Sequence, residues 1–207
     1  MLYSRCSEVD EKFWLDLAQA DPEDIRRRTG VRRDRQVFRV PCFNRELVAD
    51  LEEQHIFLAD APDAEPGFRR CLITLLYLLL IDTAALGPPL SPLELPGATM
   101  FFQKSGPHAL PNAPLEDLFG RDPAGLAAAG RRLEAASRDK GDLALAFQVF
   151  PGLTVEVILW QADDEFPAQV SFTVPSQLDR FWQLDAVLGL LGVVVEEILL
   201  AASPTTA

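Results

Sequence analysis

Apolar and polar positions recur along this chain with two different periods, and the switches between them mark its elements. Val9, Phe13, Trp14, Leu17 and Ala18 fall at helical spacing and predict a helix capped by Ser7 and running through Ala20. Asp21-Pro22 supplies a fresh N-cap with proline in the first turn, and Gly30 closes that second, short helix. From Gln36 the period drops to two. Val37, Arg39 and Pro41 alternate with Phe38, Val40 and Cys42, Asn44-Arg45 turns the chain, and a second strand follows near Glu46 to Leu51. Pro41 belongs at an edge or a strand end, because it has no N–H for the ladder. A loop over Ala59 to Gly67 leads to an apolar helix from Phe68 to about Ala84, stopped by Gly87-Pro88-Pro89.

Beyond it, Ser91-Pro92-Leu93-Glu94 has the form of a cap and first turn, and Pro96-Gly97 is a turn. Met100 to Pro114 shows no clear period. Asp122-Pro123 caps an alanine-rich helix to about Ser137, with Leu126, Ala129 and Leu133 on its buried side. Three strands follow, Leu143 to Phe150, Leu153 to Gln161 and Gln169 to Val174, separated by Pro151-Gly152 and by Ala162 to Pro167. Connections this short make antiparallel neighbours. Ser176 opens a helical turn, and Asp185 to Ala202 forms a terminal helix that is apolar around most of its circumference, hence central in the fold or packed against another chain. With no repeat and no long linker, the pattern predicts one α+β domain over residues 1–207, an antiparallel sheet with helices packed on one side. The helical segment 1–34 packs on its main body.

Composition narrows the function. Nineteen Lys and Arg against 31 Asp and Glu give a net charge of −12, which argues against nucleic acid or an anionic membrane as a partner. The average hides a dipole, since residues 21–45 carry eight Arg against four acids and net +4. The apolar run Cys71 to Ile81 is about 16 Å of helix, half of a bilayer core. Three cysteines without a CxxC spacing, and a start without an apolar leader, predict a cytoplasmic chain with no disulfide framework. Two histidines exclude a histidine-rich metal site, and neither a metal nor a cofactor is expected.

Three features carry candidate chemistry. Arg26, Arg27, Arg28, Arg32, Arg33 and Arg35 hold six cations within ten residues, either a solvated helix end or an anion and partner patch. Phe101, Phe102, Gln103 and His108 bring aromatic, amide and imidazole groups to a non-periodic loop of the kind that lines ligand sites. Trp160 runs into the acidic turn Asp163-Asp164-Glu165, where carboxylates sit in water or act as acid and base with His108. If the loop and Trp160 form one site, they converge on one concavity. GxSxG, GxGxxG and Walker A sequences are absent, and Cys71 and Cys42 read as packing residues.

Leu93-Glu94-Leu95-Pro96-Gly97 with Phe101-Phe102, Gly141-Asp142 before a strand, the run Val157 to Ala168 and Leu178-Asp179 resemble an uncharacterised prokaryotic family, domain of unknown function 3786, over roughly residues 10 to 200. The resemblance implies anaerobe-associated proteins of no established activity, some joined to a cysteine-rich iron–sulfur domain like those of corrinoid and one-carbon enzymes. This chain has no such cysteine-rich module, and the resemblance assigns no catalytic residue. The expectation is a non-catalytic accessory domain that binds a small ligand or a partner protein, as monomer or homodimer. An enzyme using Asp163, Asp164 or Glu165 with His108, and an interaction module docking through the arginine run, are the alternatives.

Overall fold

A computed structural model of the chain describes residues 4–203. The N-terminal helix is shorter than Ser7 would make it. A 3-10 turn at Cys6–Glu8 precedes α1 (Glu11–Gln19), whose cap is Asp10, accepting from the Lys12 N–H at 2.8 Å. α2 (Pro22–Thr29) follows the expected grammar, with Asp21 capping, proline in the first turn and Gly30 left-handed at φ +76°. The period-two stretch becomes a meander of β1 (Arg33–Asp34), β2 (Val37–Cys42), β3 (Arg45–Asp50) and β4 (His55–Leu58), all antiparallel. Phe38, Val40, Leu47, Ala49, Ile56 and Leu58 form its buried face. Pro41 sits inside β2, not at its end. β1 pairs only with Val37 and Phe38, so no ladder donor is required at Pro41.

α3 (Phe68–Leu80) is the apolar helix, ended four residues earlier than the sequence suggests by a 3-10 turn at Thr83–Ala85. Residues 89–119 contribute β5 (Pro89–Leu90), α4 (Ala98–Phe101) and α5 (Ala113–Phe119). α6 (Pro123–Arg132) stops before the expected Ser137. Glu134 at φ +56° reverses the chain, and Ala136–Arg138 is a strand, β6. β7 (Leu143–Phe150), β8 (Leu153–Trp160) and β9 (Gln169–Pro175) complete a second antiparallel sheet in the order β5-β9-β8-β7-β6. The helices therefore accompany two sheets where the sequence predicted one. Between β7 and β8, Gly152 has φ +72°, and a Cβ there would lie 2.7 Å from the Thr83 side chain.

α7 (Leu184–Ala202) packs against α3 and α6. Leu190, Leu191, Val193, Val194 and Ile198 are fully buried, so most of the apolar circumference of α7 is covered by its own chain, and Leu200 is left exposed. Its side chains join those of both sheets and of α1, α2 and α3 in one continuous core. No helix among the described residues is long and apolar enough to cross a membrane.

Cysteine chemistry departs most from expectation. The N-terminal turn lies on the first turn of α3 and joins Cys6 to Cys71 in a disulfide, Cα atoms 5.5 Å apart and both side chains buried. A separation of 65 residues leaves no trace of this in the sequence. Cys42 is a buried free thiol, pushed up to about 12 by burial.

Candidate functional site

Loop 101–108 closes on itself. The rings of Phe101 and His108 stack at 4.3 Å, Phe102 meets Phe101 edge-on at 5.1 Å, and the Gln103 N–H donates to the His108 carbonyl at 3.1 Å. Phe102 is buried in the core, whereas Gln103 is exposed. No carboxylate lies within 4.0 Å of the His108 imidazole among the described residues, so an acid–base pair using it requires a bridging water or substrate.

Trp160 ends β8 with 41% of its surface exposed, while Trp14 and Trp182 are buried. It lines a cavity of about 560 Å³ together with Asp142, Gln161, Asp163, Phe166 and Gln169. The 161–168 connection is held open by its own polar groups. Asp163 Oδ1 accepts the N–H groups of Phe166 (2.7 Å) and Glu165 (2.8 Å), which keep this carboxyl below the usual range. Asp142 Oδ2 accepts the Gln161 N–H at 2.7 Å. Phe166 is thereby left two-thirds exposed beside Trp160. Asp164 and Glu165 are exposed and line neither this cavity nor the larger one. Phe101, Phe102, Gln103 and His108 do not line it either.

The arginine run is divided among different tasks. Arg26 pairs with Glu23 at 3.2 Å, and Arg27 with Asp24. Arg28, largely buried, donates to Asp24 (2.6 Å) and to the carbonyls of Ile81 (2.5 Å) and Leu78 (3.1 Å), capping the C-terminus of α3. Arg33 Nε donates to the Arg35 carbonyl at 2.7 Å, and its guanidinium lies 6.0 Å from the Phe38 ring centroid. Arg32 and Arg35 are exposed.

Sequence reasoning missed two charged arrangements. Glu156 lies buried mid-strand in β8 and accepts from Lys140 (2.7 Å), Thr173 (2.9 Å) and Arg138 (3.2 Å). Burial pushes its carboxyl up, but the hydrogen bonds from Lys140, Thr173 and Arg138 outweigh this and hold it below the usual value. The second is a buried Arg70–Glu197 pair joining α3 to α7 beside a cavity of about 790 Å³. The visible signal was two charged doublets, Arg69-Arg70 and Glu196-Glu197, each set against an apolar helical run. Among the described residues no group of three or more His, Cys, Asp and Glu is placed to hold a metal ion.

Two antiparallel meanders enclosing apolar helices, with two cavities open to the surface, define an α+β domain. Residues 21–197 match the family described as Domain of unknown function (DUF3786), and the chain belongs to that family. No curated protein and no solved structure matches it.

Proposed function

We propose that this domain binds a small ring-bearing ligand without transforming it, in the cavity beside Trp160. The observation that carries the reading is the pair of exposed aromatics, Trp160 and Phe166, on a framework already held rigid by Asp142 and Asp163. Aromatic faces supply affinity for a ring, and Gln161 and Gln169 supply donors and acceptors that orient it. Both lining carboxylates are engaged by backbone N–H groups, which favours a role in shaping the cavity over acid–base work. The cytoplasmic expectation belongs to this proposal, and Cys6–Cys71 stands against it, because a reducing cytosol keeps thiols apart.

The test is a ring-bearing fragment screen read by ¹H–¹⁵N correlation spectra. Hits should shift the Trp160 indole N–H and the amides of Gln161, Phe166 and Gln169, leave the indoles of Trp14 and Trp182 in place, and vanish in Trp160→Ala. A screen in which no fragment perturbs Trp160, or in which the hits cluster elsewhere, overturns the proposal.

A further inference from the structure

We infer that the larger cavity, where the ends of α6 and α7 meet the start of α3, is a site for a monocarboxylate carrying an apolar tail. The first support is an excess of donors in a place that water hardly reaches. Arg70 is more than nine-tenths buried, yet of its five N–H groups only one, on Nη2, meets an acceptor, Glu197. Its Nε is sealed from solvent with no partner at all. A buried guanidinium is stable only when its donors are satisfied, so this one is short of an acceptor.

Arg132 adds a second set of unused donors on the same wall. It gives Nη1 to the Ala201 carbonyl and has no carboxylate within 4.0 Å among the described residues. The third arginine lining the cavity, Arg45, is already held side-on by Asp60 through Nε and Nη2, which neutralises its charge. An oxyanion between Arg70 and Arg132 therefore meets donors that nothing else among the described residues occupies.

The surrounding acids limit the charge of that oxyanion. Glu65, Glu196 and Glu197 also line the cavity, each already engaged, by the Cys6 N–H, by Arg69 and by Arg70 respectively. One added negative charge is matched by the unused donors, whereas a dianion such as a phosphate monoester faces three carboxylates. Apart from Asn44, which donates to the Arg132 carbonyl, the rest of the wall is apolar. Leu58, Leu133, Leu199 and Leu200 line it, and Leu200 is two-thirds exposed. A cavity of about 790 Å³ is of the size that encloses a small amphipathic molecule.

The test titrates the full chain with decanoate, decanol, decyl phosphate and acetate by calorimetry, with ¹H–¹⁵N spectra to locate the site. Decanoate should saturate and shift the amides of Arg132, Leu199 and Leu200, with each of the other three weaker by about tenfold or more. Arg132→Glu should weaken decanoate by a similar factor while the chain stays folded, as read from its ¹H–¹⁵N spectrum. Leu200→Glu, on the surface and harmless to the core, should do the same, so the test does not depend on altering the buried Arg70. Trp160→Ala should leave decanoate binding unchanged, which separates this site from the cavity beside Trp160. Decanol as tight as decanoate, decyl phosphate tighter, no effect of Arg132→Glu, or no saturable decanoate binding in the millimolar range overturns the inference.

Discussion

Breaking the Cys6–Cys71 bond releases a closed loop of 65 residues into the unfolded chain. In the chain-entropy treatment a loop of this length restricts the unfolded state by about 14 cal/mol/K, or about 4 kcal/mol at 25 °C. Residual structure in the unfolded chain reduces that, so a loss of about 2–4 kcal/mol is expected. Cys6→Ala/Cys71→Ala, and the unaltered chain under a phosphine reductant, should then unfold at a urea concentration lower by about 1–2 M, given a slope of about 2 kcal/mol/M. A thiol count complements the unfolding curve. In denaturant without reductant the chain should present one reactive thiol, Cys42, and in native buffer it should react slowly, being buried and pushed up to about 12. Three thiols in denaturant, or midpoints that coincide with and without reductant, would refute the reasoning.

Glu197→Gln leaves Arg70 buried without its counter-charge and should cost about 3–5 kcal/mol of stability in chemical denaturation; a cost below about 1 kcal/mol would show that the pair is solvated. Glu156 is held below its ordinary value of 4.5 in the folded chain, so its stabilisation is fully present above that value and is lost as pH falls through the lower folded one. The stability gap between wild type and Glu156→Gln should accordingly close on acidification, and a gap independent of pH would contradict the assignment. Acrylamide should quench Trp160 alone among the three tryptophans, and Trp160→Phe should abolish the quenchable fraction. Gly152→Ala should destabilise by about 2 kcal/mol, from its left-handed φ and the contact with Thr83, and an unchanged midpoint would rule out that turn.

Local patterns carried much of the fold. Apolar runs of strand length bounded by Pro151-Gly152 and by Ala162 to Pro167 made β7, β8 and β9 legible to within a residue or two, and Asp21-Pro22 with Gly30 framed α2. Where the local signal was weak, tertiary packing decided. β4 and β6 are too short to show a period, and the reversal at Glu134 uses neither glycine nor proline. Trp160 and Asp163 could be singled out because one turn joins them. The Arg70 cavity could not, since Arg70, Arg132 and Glu197 come from three helices that meet only in the folded chain.

Tyr77 lies in the last turn of α3, and its hydroxyl reaches the carbonyls of Thr29 at 3.1 Å and Pro151 at 2.8 Å. Nearby, Arg28 caps α3, and Thr83 Oγ1 donates back to the Arg28 carbonyl at 2.7 Å. One tyrosine thus clasps the end of α2, the last turn of α3 and the β7–β8 turn. Fraying of the first thirty-odd residues cannot proceed alone, because lifting α2 strands buried groups on both other elements. Amide protons of α2 should exchange with solvent only as fast as those of β7 and β8, in a single cooperative opening. Cutting the chain at the loop before β1 would remove part of its keystone, which accords with a family match that begins at residue 21.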